Sequence, residues 1–259
     1  MYIHNLDPVL FDLGFFAIRW YSLAYILGIL LGWWLGKKII VKKLHAISSN
    51  FDIKEFDNLI TYLIVAIIIG GRLGYVLFYN FDYYMLNPLD IFRVWEGGMS
   101  FHGALIGIIF GTYLFSIKQN VQTFFLLDII ACVSPIGIFL GRLANFINGE
   151  LIGKTTSMPW GVIFPKVDTI TRHPSQIYEA FLEGLILFIL MNLLFFRKNY
   201  VVGTCSYMFL LLYGCFRIFC EYFREPDVQI GYIFNLISMG TSLSILMILA
   251  GIIIFLKRR

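Results

Sequence analysis

The stretch LSILMILAGIIIFL, residues 243–256, has no charged side chain in fourteen positions. A second stretch, LILFILMNLLFF at 185–196, is interrupted only by the amide of Asn192. A helix that is hydrophobic all round is buried in protein or in lipid, and about 20 apolar residues suffice to cross the hydrocarbon core of a bilayer. These two stretches therefore predict transmembrane helices.

The composition of the whole chain agrees with that prediction. Of 259 residues, 59% are hydrophobic and only 14% are charged, and the mean hydropathy is +0.80. A soluble domain carries far more charge, so the composition indicates a polytopic membrane protein. The net charge of +4 is no sign of nucleic-acid binding, because in a membrane protein the position of each basic residue matters more than the total.

Seven stretches are long and apolar enough to span a bilayer. They are 17–40, 57–80, 100–117, 124–146, 176–196, 203–223 and 232–256. Lipid offers no hydrogen-bond partner for backbone amides, so these stretches must be helices. The sequence thus predicts an all-α integral membrane protein whose residues 1–259 form a single polytopic membrane domain.

The basic residues between the stretches set the orientation. Eleven of the 20 lysines and arginines follow the odd-numbered spans. Because positive residues accumulate in cytoplasmic loops, this predicts a cytoplasmic C-terminus and an N-terminus outside. The outer loops are then 81–99, 147–175 and 224–231, and the long polar loop 147–175 is predicted to be a small extracytoplasmic cap.

Polar side chains are concentrated in parts of these predicted helices. Charged residues in spans are unfavourable and usually face a bundle interior or a wet cavity. Tyr213, Arg217, Glu221 and Arg224 follow the spacing i, i+4, i+8, i+11, which places them on one helical face. The other polar groups are Tyr21, Tyr25, Arg72, His102, Arg142, Asn145, Glu179 and Glu183, with Ser100 as a possible N-cap before His102.

Structural explanations compete with functional ones at several of these positions. Arg19 and Arg93 fit interfacial side chains, and Arg72 fits a buried ion pair with Glu179 or Glu183 as well as a substrate contact. Glu221 is expected to orient Arg217 and Arg224. His102 is either an ordinary core residue or a functional group at a helix N-terminus. Arg142 and Arg217 are read as unpaired cations, which would attract an anion.

Neither a metal nor another cofactor is expected. The four histidines are far apart in the sequence, and no carboxylate cluster has ligand spacing. The four cysteines, Cys132, Cys205, Cys215 and Cys220, lie in apolar runs without a CxxC pair, and we interpret them as buried free thiols.

Five segments together resemble the phosphatidylglycerol–prolipoprotein diacylglyceryl transferase family of bacteria. They are GRLGYVLFYN (71–80), WEGGMSFHGALIG (95–107), GRLANFINGELIG (141–153), RHPSQIYEA (172–180) and FRIFCEYFREPD (216–227). They occur in order from the second span to the last loop. One departure is Ala104, which stands where the family usually has the second glycine of His-Gly-Gly-Leu.

The resemblance implies a reaction and a location. A diacylglyceryl group would move from phosphatidylglycerol to the lipobox cysteine thiol of a preprolipoprotein, forming a thioether and releasing glycerol phosphate. The enzyme would lie in the bacterial plasma membrane, among membrane lipids, with its active site toward the outer leaflet. The resemblance assigns catalysis to His102, Arg142 and Arg217, and lipid binding to Arg142, Asn145, Tyr25, Gly153, Glu150, Tyr213, Glu221 and Arg224.

The chemistry is compatible with these residue types. A guanidinium stabilises the negative charge that develops on a leaving phosphate, and Asn145 can donate beside it. A buried thiol needs a base or a nearby cation to become a thiolate. His102 can be that base, can bind the phosphate instead, or can be unnecessary if the arginines alone stabilise the thiolate.

Two other functions remain open on the sequence alone. A transporter of anionic solutes also places arginines in spans, but it predicts polar residues near the midplane and on both leaflets, whereas the inner halves here are almost purely apolar. A non-catalytic lipid-binding scaffold would need the arginines but not His102.

Overall fold

A computed structural model describes residues 2–14, 17–47, 51, 53–226, 232–233 and 237–258. Within this part of the chain, six helices are long and apolar enough to cross a membrane. They comprise Trp20–Lys42, Glu55–Tyr79, Phe101–Gln119, Thr123–Asn148, Ser175–Phe195 and Met239–Arg258. The protein is therefore a mostly helical, multi-pass integral membrane protein, as predicted.

Nine α-helices make up most of the described part of the fold. They are α1 (Trp20–Ile47), α2 (Glu55–Tyr79), α3 (Phe81–Leu86), α4 (Phe101–Gln119), α5 (Thr123–Asn148), α6 (Ser175–Glu179), α7 (Leu187–Phe195), α8 (Thr204–Glu221) and α9 (Met239–Arg258). A π-helical segment, Ala180–Ile186, joins α6 to α7. Two 3₁₀ turns, Pro88–Phe92 and Val94–Glu96, lie between α3 and α4.

Short strands occupy places where the sequence predicted helix or loop. They are β1 (Tyr2–Ile3), β2 (Val9–Asp12), β3 (Ala17–Arg19), β4 (Val162–Ile163), β5 (Thr171–Arg172), β6 (Tyr232–Ile233) and β7 (Ile237–Ser238). The predicted first span began at residue 17, but 17–19 pair with β2 instead. The predicted seventh span began at 232, but β6 pairs with β7 and the helix begins at Met239. In both places the prediction was wrong because apolar strands and apolar helix ends have similar composition.

The predicted span 203–223 corresponds to α8, an 18-residue helix that contains Arg217 and Glu221. These two charges lower its hydropathy, and it is not among the six apolar helices. The helix ends at Glu221, so Arg224 lies beyond it and not within it as predicted. Residues 227–231 of the predicted last loop, 224–231, fall outside the described residues, as do 234–236.

The chain divides into two compact units, and the first comprises residues 1–36 and 130–259. In it α8 packs against α9, and a Cβ added at Gly214 would lie 3.0 Å from the carbonyl oxygen of Ser244. Small residues at such contacts let helix backbones approach closely where lipid provides no hydrophobic drive. The core of this unit contains Leu187, Met191, Phe195, Cys205 and Tyr213.

The predicted cap segment, 147–175, belongs to this first unit and is ordered by a small sheet. Strand β4 pairs in parallel with β1, Tyr2 opposite Val162, and antiparallel with β5, Val162 opposite Arg172. The buried ring of His4 donates from Nε2 to the carbonyl oxygen of Phe146 over 2.7 Å. The N-terminal strand thus ties the segment to the end of α5.

The second unit comprises residues 37–129 and is organised by α2 and α4. Gly70 and Gly74 on α2 face Gly103 and Gly107 on α4, and a Cβ on Gly74 would lie 2.6 Å from the Gly103 Cα. This is the small-residue crossing typical of transmembrane helices. Ala104 replaces none of these four glycines, which explains how the chain tolerates this departure.

Arg72 has a structural role in the second unit. Its guanidinium is buried and donates to the carbonyl oxygens of Asp90 (2.6 Å), Ile91 (2.9 Å), Gly97 (2.5 Å) and Gly98 (3.4 Å). A buried ion pair with Glu179 or Glu183 was one of two explanations that the sequence left open for Arg72, and the observed partners of its guanidinium are backbone carbonyls. The guanidinium instead closes the 88–98 connection over the end of α2, while both carboxylates bind arginines of their own unit.

Candidate active site

Four elements of the first unit, together with the residue Arg224 that follows the last of them, bring six charged side chains together. Arg142 comes from α5, Arg217 and Glu221 from α8, and Glu179 and Glu183 from α6 and the π-helical segment that follows it. Arg224, just after α8, is the sixth member. We call these six residues the arginine–glutamate cluster.

Glu179 lies at the centre of the arginine–glutamate cluster. Its Oε2 is 3.0 Å from Nη1 of Arg142, and its Oε1 is 2.6 Å from Nη1 of Arg217 and 3.3 Å from Nη1 of Arg224. Both Glu179 and Glu183 are 0% exposed. A carboxylate this deeply buried is stable only when it is paired and hydrogen-bonded, and three guanidiniums from two parts of the chain supply this pairing.

Glu183 provides a second bridge between α5 and α8. Its Oε2 is 3.1 Å from Nη2 of Arg142, and its Oε1 is 3.5 Å from Nη1 of Arg217. Glu183 is four residues after Glu179 and lies within the π-helical segment, so both carboxylates face the same arginines. Single π turns occur mostly at functional sites, where they change which side chains share a face.

Arg217 and Glu221 form the predicted i, i+4 pair on α8. Nη2 of Arg217 lies 2.8 Å from Oε2 of Glu221. The contact expected between Glu221 and Arg217 is therefore present, and Arg224 pairs with Glu179; the orienting role of Glu221 stays a prediction. Tyr213 is one turn earlier on the same face, is 1% exposed, and stacks on Phe209 with ring centroids 5.7 Å apart.

The charges of the arginine–glutamate cluster balance, with three guanidiniums and three carboxylates. The sequence predicted that Arg142 and Arg217 are unpaired cations, and that prediction was wrong, because both pair with Glu179 and Glu183. Sequence spacing does not show which residues pair across helices. Burial makes such pairing necessary, because a buried charge without a partner is strongly unfavourable. Arg142 has the largest exposed side-chain fraction of the six, 15%, against 8% for Arg217 and 0% for Glu179, so its side chain is the most exposed member of the cluster.

Arg224 connects the arginine–glutamate cluster to the cap segment. Arg224 forms a β-bridge with Gly153, and the amide of Gly153 donates to the carbonyl oxygen of His173 over 3.2 Å. A Cβ on Gly153 would collide with that carbonyl group and lie 2.7 Å from the His173 Cβ. Only glycine fits there, so Gly153 sets the distance between the cap segment and the end of α8.

Glu150 is held by three amide side chains at the start of the cap segment. Nδ2 of Asn145 donates to its Oε2 over 3.3 Å, and Nδ2 of Asn148 donates to its Oε1 over 2.9 Å. Nε2 of Gln176 donates to the Glu150 backbone carbonyl over 2.5 Å. We call Glu150 with Asn145, Asn148 and Gln176 the Glu150 amide cluster.

Arg172 holds the far side of the cap segment, outside the membrane-spanning helices. Its Nη2 lies 2.5 Å from Oδ2 of Asp168, and its Nη1 donates to the carbonyl oxygen of Gly153 over 3.2 Å. The hydrogen bonds from Arg172 lower the pKa of the Asp168 carboxyl group, and the same pair raises the pKa of Arg172. Partial burial lowers the pKa of the neighbouring His173 imidazole.

Tyr25 and His102 are the remaining predicted site residues. Tyr25 lies on α1, is 54% exposed, and its hydroxyl is 3.1 Å from that of Tyr21, one turn earlier. Tyr21 in turn lies within electrostatic range of Glu150 and Arg142. His102 belongs to the second unit, in the first turn of α4, where the hydroxyl of Ser100 accepts from the Gly103 amide at 3.2 Å, which confirms the predicted N-cap.

Comparison with known proteins identifies the family. A family model described as prolipoprotein diacylglyceryl transferase matches residues 8–257. The chain belongs to this family. Among its relatives are proteins named phosphatidylglycerol–prolipoprotein diacylglyceryl transferase from two species of Rickettsia. The one from Rickettsia typhi is 51% identical over 253 residues, which cover 97% of this chain and 96% of the relative. The one from Rickettsia bellii is 48% identical over 255 residues, which cover 98% and 95%.

Membership in the diacylglyceryl transferase family confirms the resemblance carried by the five sequence segments. The structure gathers Arg142, Arg217, Glu221, Arg224 and Tyr213 in one buried region of the first unit. It also adds Glu179, Glu183 and Gln176, which the sequence analysis did not assign to the site. Their signal was present in RHPSQIYEAFLEG (172–184), where Gln176, Glu179 and Glu183 recur every three or four residues in an apolar helix.

The described residues of this transferase-family chain contain no group of three or more histidine, cysteine, aspartate or glutamate side chains placed to hold a metal ion. The arginine–glutamate cluster instead offers fixed cations and hydrogen-bond donors, which suit an anionic, phosphate-bearing substrate.

Proposed function

We propose that this chain transfers the diacylglyceryl group of phosphatidylglycerol to the thiol of a lipobox cysteine in a preprolipoprotein, releasing glycerol phosphate. This is the first step of bacterial lipoprotein modification. The observation that carries the proposal is the convergence of Arg142 and Arg217, from α5 and α8, on the two buried carboxylates Glu179 and Glu183.

The two guanidiniums would stabilise the leaving group. The cysteine sulfur attacks the glyceryl carbon that carries the phosphate ester, a C–S bond forms, and the C–O bond breaks. The bonding electrons move to the phosphate oxygen, where a second negative charge develops. Arginines already oriented by carboxylates need no reorganisation at that moment, which is the condition under which such groups lower a barrier most.

An anion joining a charge-balanced cluster must contact donors that the carboxylates leave accessible. Arg142 is the best placed, since its side chain is the most exposed of the six members. Each guanidinium carries five N–H donors, so it can bind a carboxylate and a phosphate oxygen at the same time. Glu179, Glu183 and Glu221 would then act as positioning residues that hold the arginines.

The thiol proton requires an acceptor, and His102 is our first candidate. At the N-terminus of α4 the positive end of the helix dipole favours a neutral imidazole, which can accept a proton. His102 can alternatively bind the phosphate, with the arginine field alone stabilising the thiolate. Tyr25, Asn145, Glu150, Gly153, Tyr213, Glu221 and Arg224 would bind the lipid or shape its site, as their family assignments imply.

The proposal includes a topology and a location. The six apolar helices together with α8 would make seven transmembrane helices, with the N-terminus outside and the C-terminus in the cytoplasm. The Lys- and Arg-rich segments after odd-numbered spans support this orientation. Residues 1–259 would form a single membrane domain in the bacterial inner membrane, with 147–175 as an extracytoplasmic cap and the active site toward the outer leaflet.

The direct test is an adduct assay. Purified protein is incubated with phosphatidylglycerol micelles and a lipobox peptide, and the peptide is searched for the added mass of a diacylglyceryl group. Arg142→Ala and Arg217→Ala should each lower the rate by about 10²–10³-fold. Arg93→Ala is the matched control: the half-exposed Arg93 lies 3.2 Å from Asp90 and 3.7 Å from Glu96, outside the arginine–glutamate cluster, and its loss should leave the rate unchanged.

The outcomes separate the competing functions. An adduct whose rate depends on Arg142 and Arg217 supports the transferase. Retention of phosphatidylglycerol without any adduct would point to a lipid-binding scaffold and overturn the proposal. A His102→Gln protein with near-normal turnover would eliminate the base role while leaving the transferase assignment intact.

A further inference from the structure

Two buried amide oxygens in the Glu150 amide cluster have no hydrogen-bond partner among the described residues. They are Oε1 of Gln176 and Oδ1 of Asn148. Gln176 is 0% exposed. A buried amide oxygen without a partner costs about 1–3 kcal/mol, so native proteins rarely keep one without a functional reason.

The orientation of both amides follows from their contacts with Glu150. A carbonyl or carboxylate oxygen can only accept, so Gln176 and Asn148 must each direct an NH₂ group toward Glu150, at 2.5 and 2.9 Å. Exchanging oxygen and nitrogen in either side chain would place two acceptors against each other. The free positions beside Glu150 are therefore acceptors, and they suit a ligand that donates hydrogen bonds.

These acceptors lie one to two helical turns from the arginine–glutamate cluster. Asn145 and Asn148 follow Arg142 on α5 at i+3 and i+6, and Gln176 precedes Glu179 on α6 by three residues. Three residues of helix rise by about 4.5 Å. Toward the ends of α5 and α6 that lie near Glu150, charged side chains thus give way to neutral amides.

We propose that the Glu150 amide cluster is the subsite for the headgroup hydroxyls of the donor lipid, with Oε1 of Gln176 and Oδ1 of Asn148 as acceptors. This inference rests on the proposed function and extends it to substrate selectivity. The glycerol headgroup of phosphatidylglycerol carries two hydroxyls beside its phosphate. With the phosphate on the guanidiniums, a group of that length reaches the next helical turn, where Oε1 of Gln176 lacks a hydrogen-bond partner among the described residues.

The experiment compares lipids that differ only in the headgroup. Phosphatidylglycerol is compared with phosphatidylpropanol, which has the same charge and acyl chains but no headgroup hydroxyl. A site built to bond a hydroxyl discriminates against an analogue that lacks it, because its buried polar groups then stay unpaired. The wild-type protein should prefer phosphatidylglycerol in kcat/KM by about tenfold or more.

The preference for phosphatidylglycerol over phosphatidylpropanol should disappear when the acceptor oxygen of Gln176 is removed. Gln176→Met, of similar volume, should bring the two lipids within about twofold of each other by lowering only the rate with phosphatidylglycerol. Ser175→Ala is the matched control: Ser175 is equally buried and donates to the Leu151 carbonyl oxygen at 3.0 Å, so its loss disturbs the same loop without removing an acceptor. It should leave the ratio unchanged. Asn148→Ala provides a second variant should Gln176→Met fail to fold.

Each result decides the proposal. Equal use of both lipids by the wild-type protein overturns the subsite while the transferase assignment stands. A preference that survives in both Gln176→Met and Asn148→Ala also overturns it. Equal use of phosphatidylethanolamine and phosphatidylglycerol would assign the acceptors to an ammonium and not to hydroxyls. Absence of an adduct with every lipid would instead contradict the proposed function itself.

Discussion

Oε2 of Glu183 lies 3.1 Å from Nη2 of Arg142, and the glutamate that makes this contact is completely buried. The same carboxylate reaches Arg217 through its other oxygen. Glu183 therefore fixes the relative positions of two guanidiniums that belong to different helices. We infer that its role is to position the cations, since its two carboxylate oxygens contact both guanidiniums.

Glu183→Gln is expected to slow turnover without abolishing the fold. The amide keeps the volume but removes the charge that orients both guanidiniums, and a small misplacement of a binding group can cost about 10²-fold in rate. The rate of adduct formation and the affinity for phosphatidylglycerol should be measured separately. Glu96→Gln, at an exposed surface pair, is the control. Unchanged kcat in Glu183→Gln would contradict the positioning role.

Gly153→Ala is expected to destabilise the protein by about 1–3 kcal/mol and to lower activity, because the new methyl group meets the His173 carbonyl. Thermal unfolding in detergent measures the first effect and the adduct assay the second. Gly141→Ala is the matched control, since a Cβ there meets nothing within 4 Å. If Gly153→Ala unfolds at the temperature of Gly141→Ala, close packing is not the reason for a glycine at position 153.

Neighbouring substitutions on α4 should behave differently. Gly103→Ala places a methyl group against the Gly70 carbonyl and 2.7 Å from the Gly74 Cα, so we expect separation of α2 and α4 and a loss of about 1–3 kcal/mol. Ala104→Gly restores the usual family residue and should cost at most about 1 kcal/mol through helix propensity. Circular dichroism melting of both variants checks this. A larger loss in Ala104→Gly than in Gly103→Ala would contradict the packing shown here.

The Asp168–Arg172 pair should make the cap segment sensitive to acid. Because Arg172 lowers the pKa of Asp168 below its ordinary value of 3.8, the pair stabilises the fold above that value and loses its effect as the pH falls through the folded-state pKa. Wild type should therefore melt above Asp168→Asn at about pH 6, and the difference should shrink as the pH is lowered below 3.8. A difference that stays constant over this range would show that the carboxylate charge is not what stabilises the segment.

Much of the fold was predictable because lipid leaves few alternatives to a helix. The long apolar runs, the Ser100 cap and the Arg217–Glu221 pair all follow from spacing within one helix. The pairing of Arg142 with Glu179 and Glu183 was not predictable, since it depends on which helices become neighbours. The role of Arg72 was missed for a related reason, because its partners are backbone carbonyls that carry no sequence signal.

The strands at 17–19, 232–233 and 237–238 were missed because two or three apolar residues fit a strand and a helix end equally well. The π-helical segment was also unpredictable, because Ala180–Ile186 has the composition of an ordinary transmembrane helix. Its effect, two carboxylates directed at the same arginines, is seen only in three dimensions.

The buried pairing also bears on biogenesis. Glu179 and Glu183 lie in the helical stretch that ends with α7, and Arg217 lies on the next helix, α8. Only residues 196–203 separate these two segments. Inserted alone, either segment would carry a free-energy cost of about 2.5–3.5 kcal/mol for each charge at the centre of the helix. The translocon is therefore expected to release the two together, with Arg217 already paired to the glutamates, so that assembly of the catalytic machinery begins during synthesis and a lost glutamate lowers the yield of inserted protein as well as its turnover.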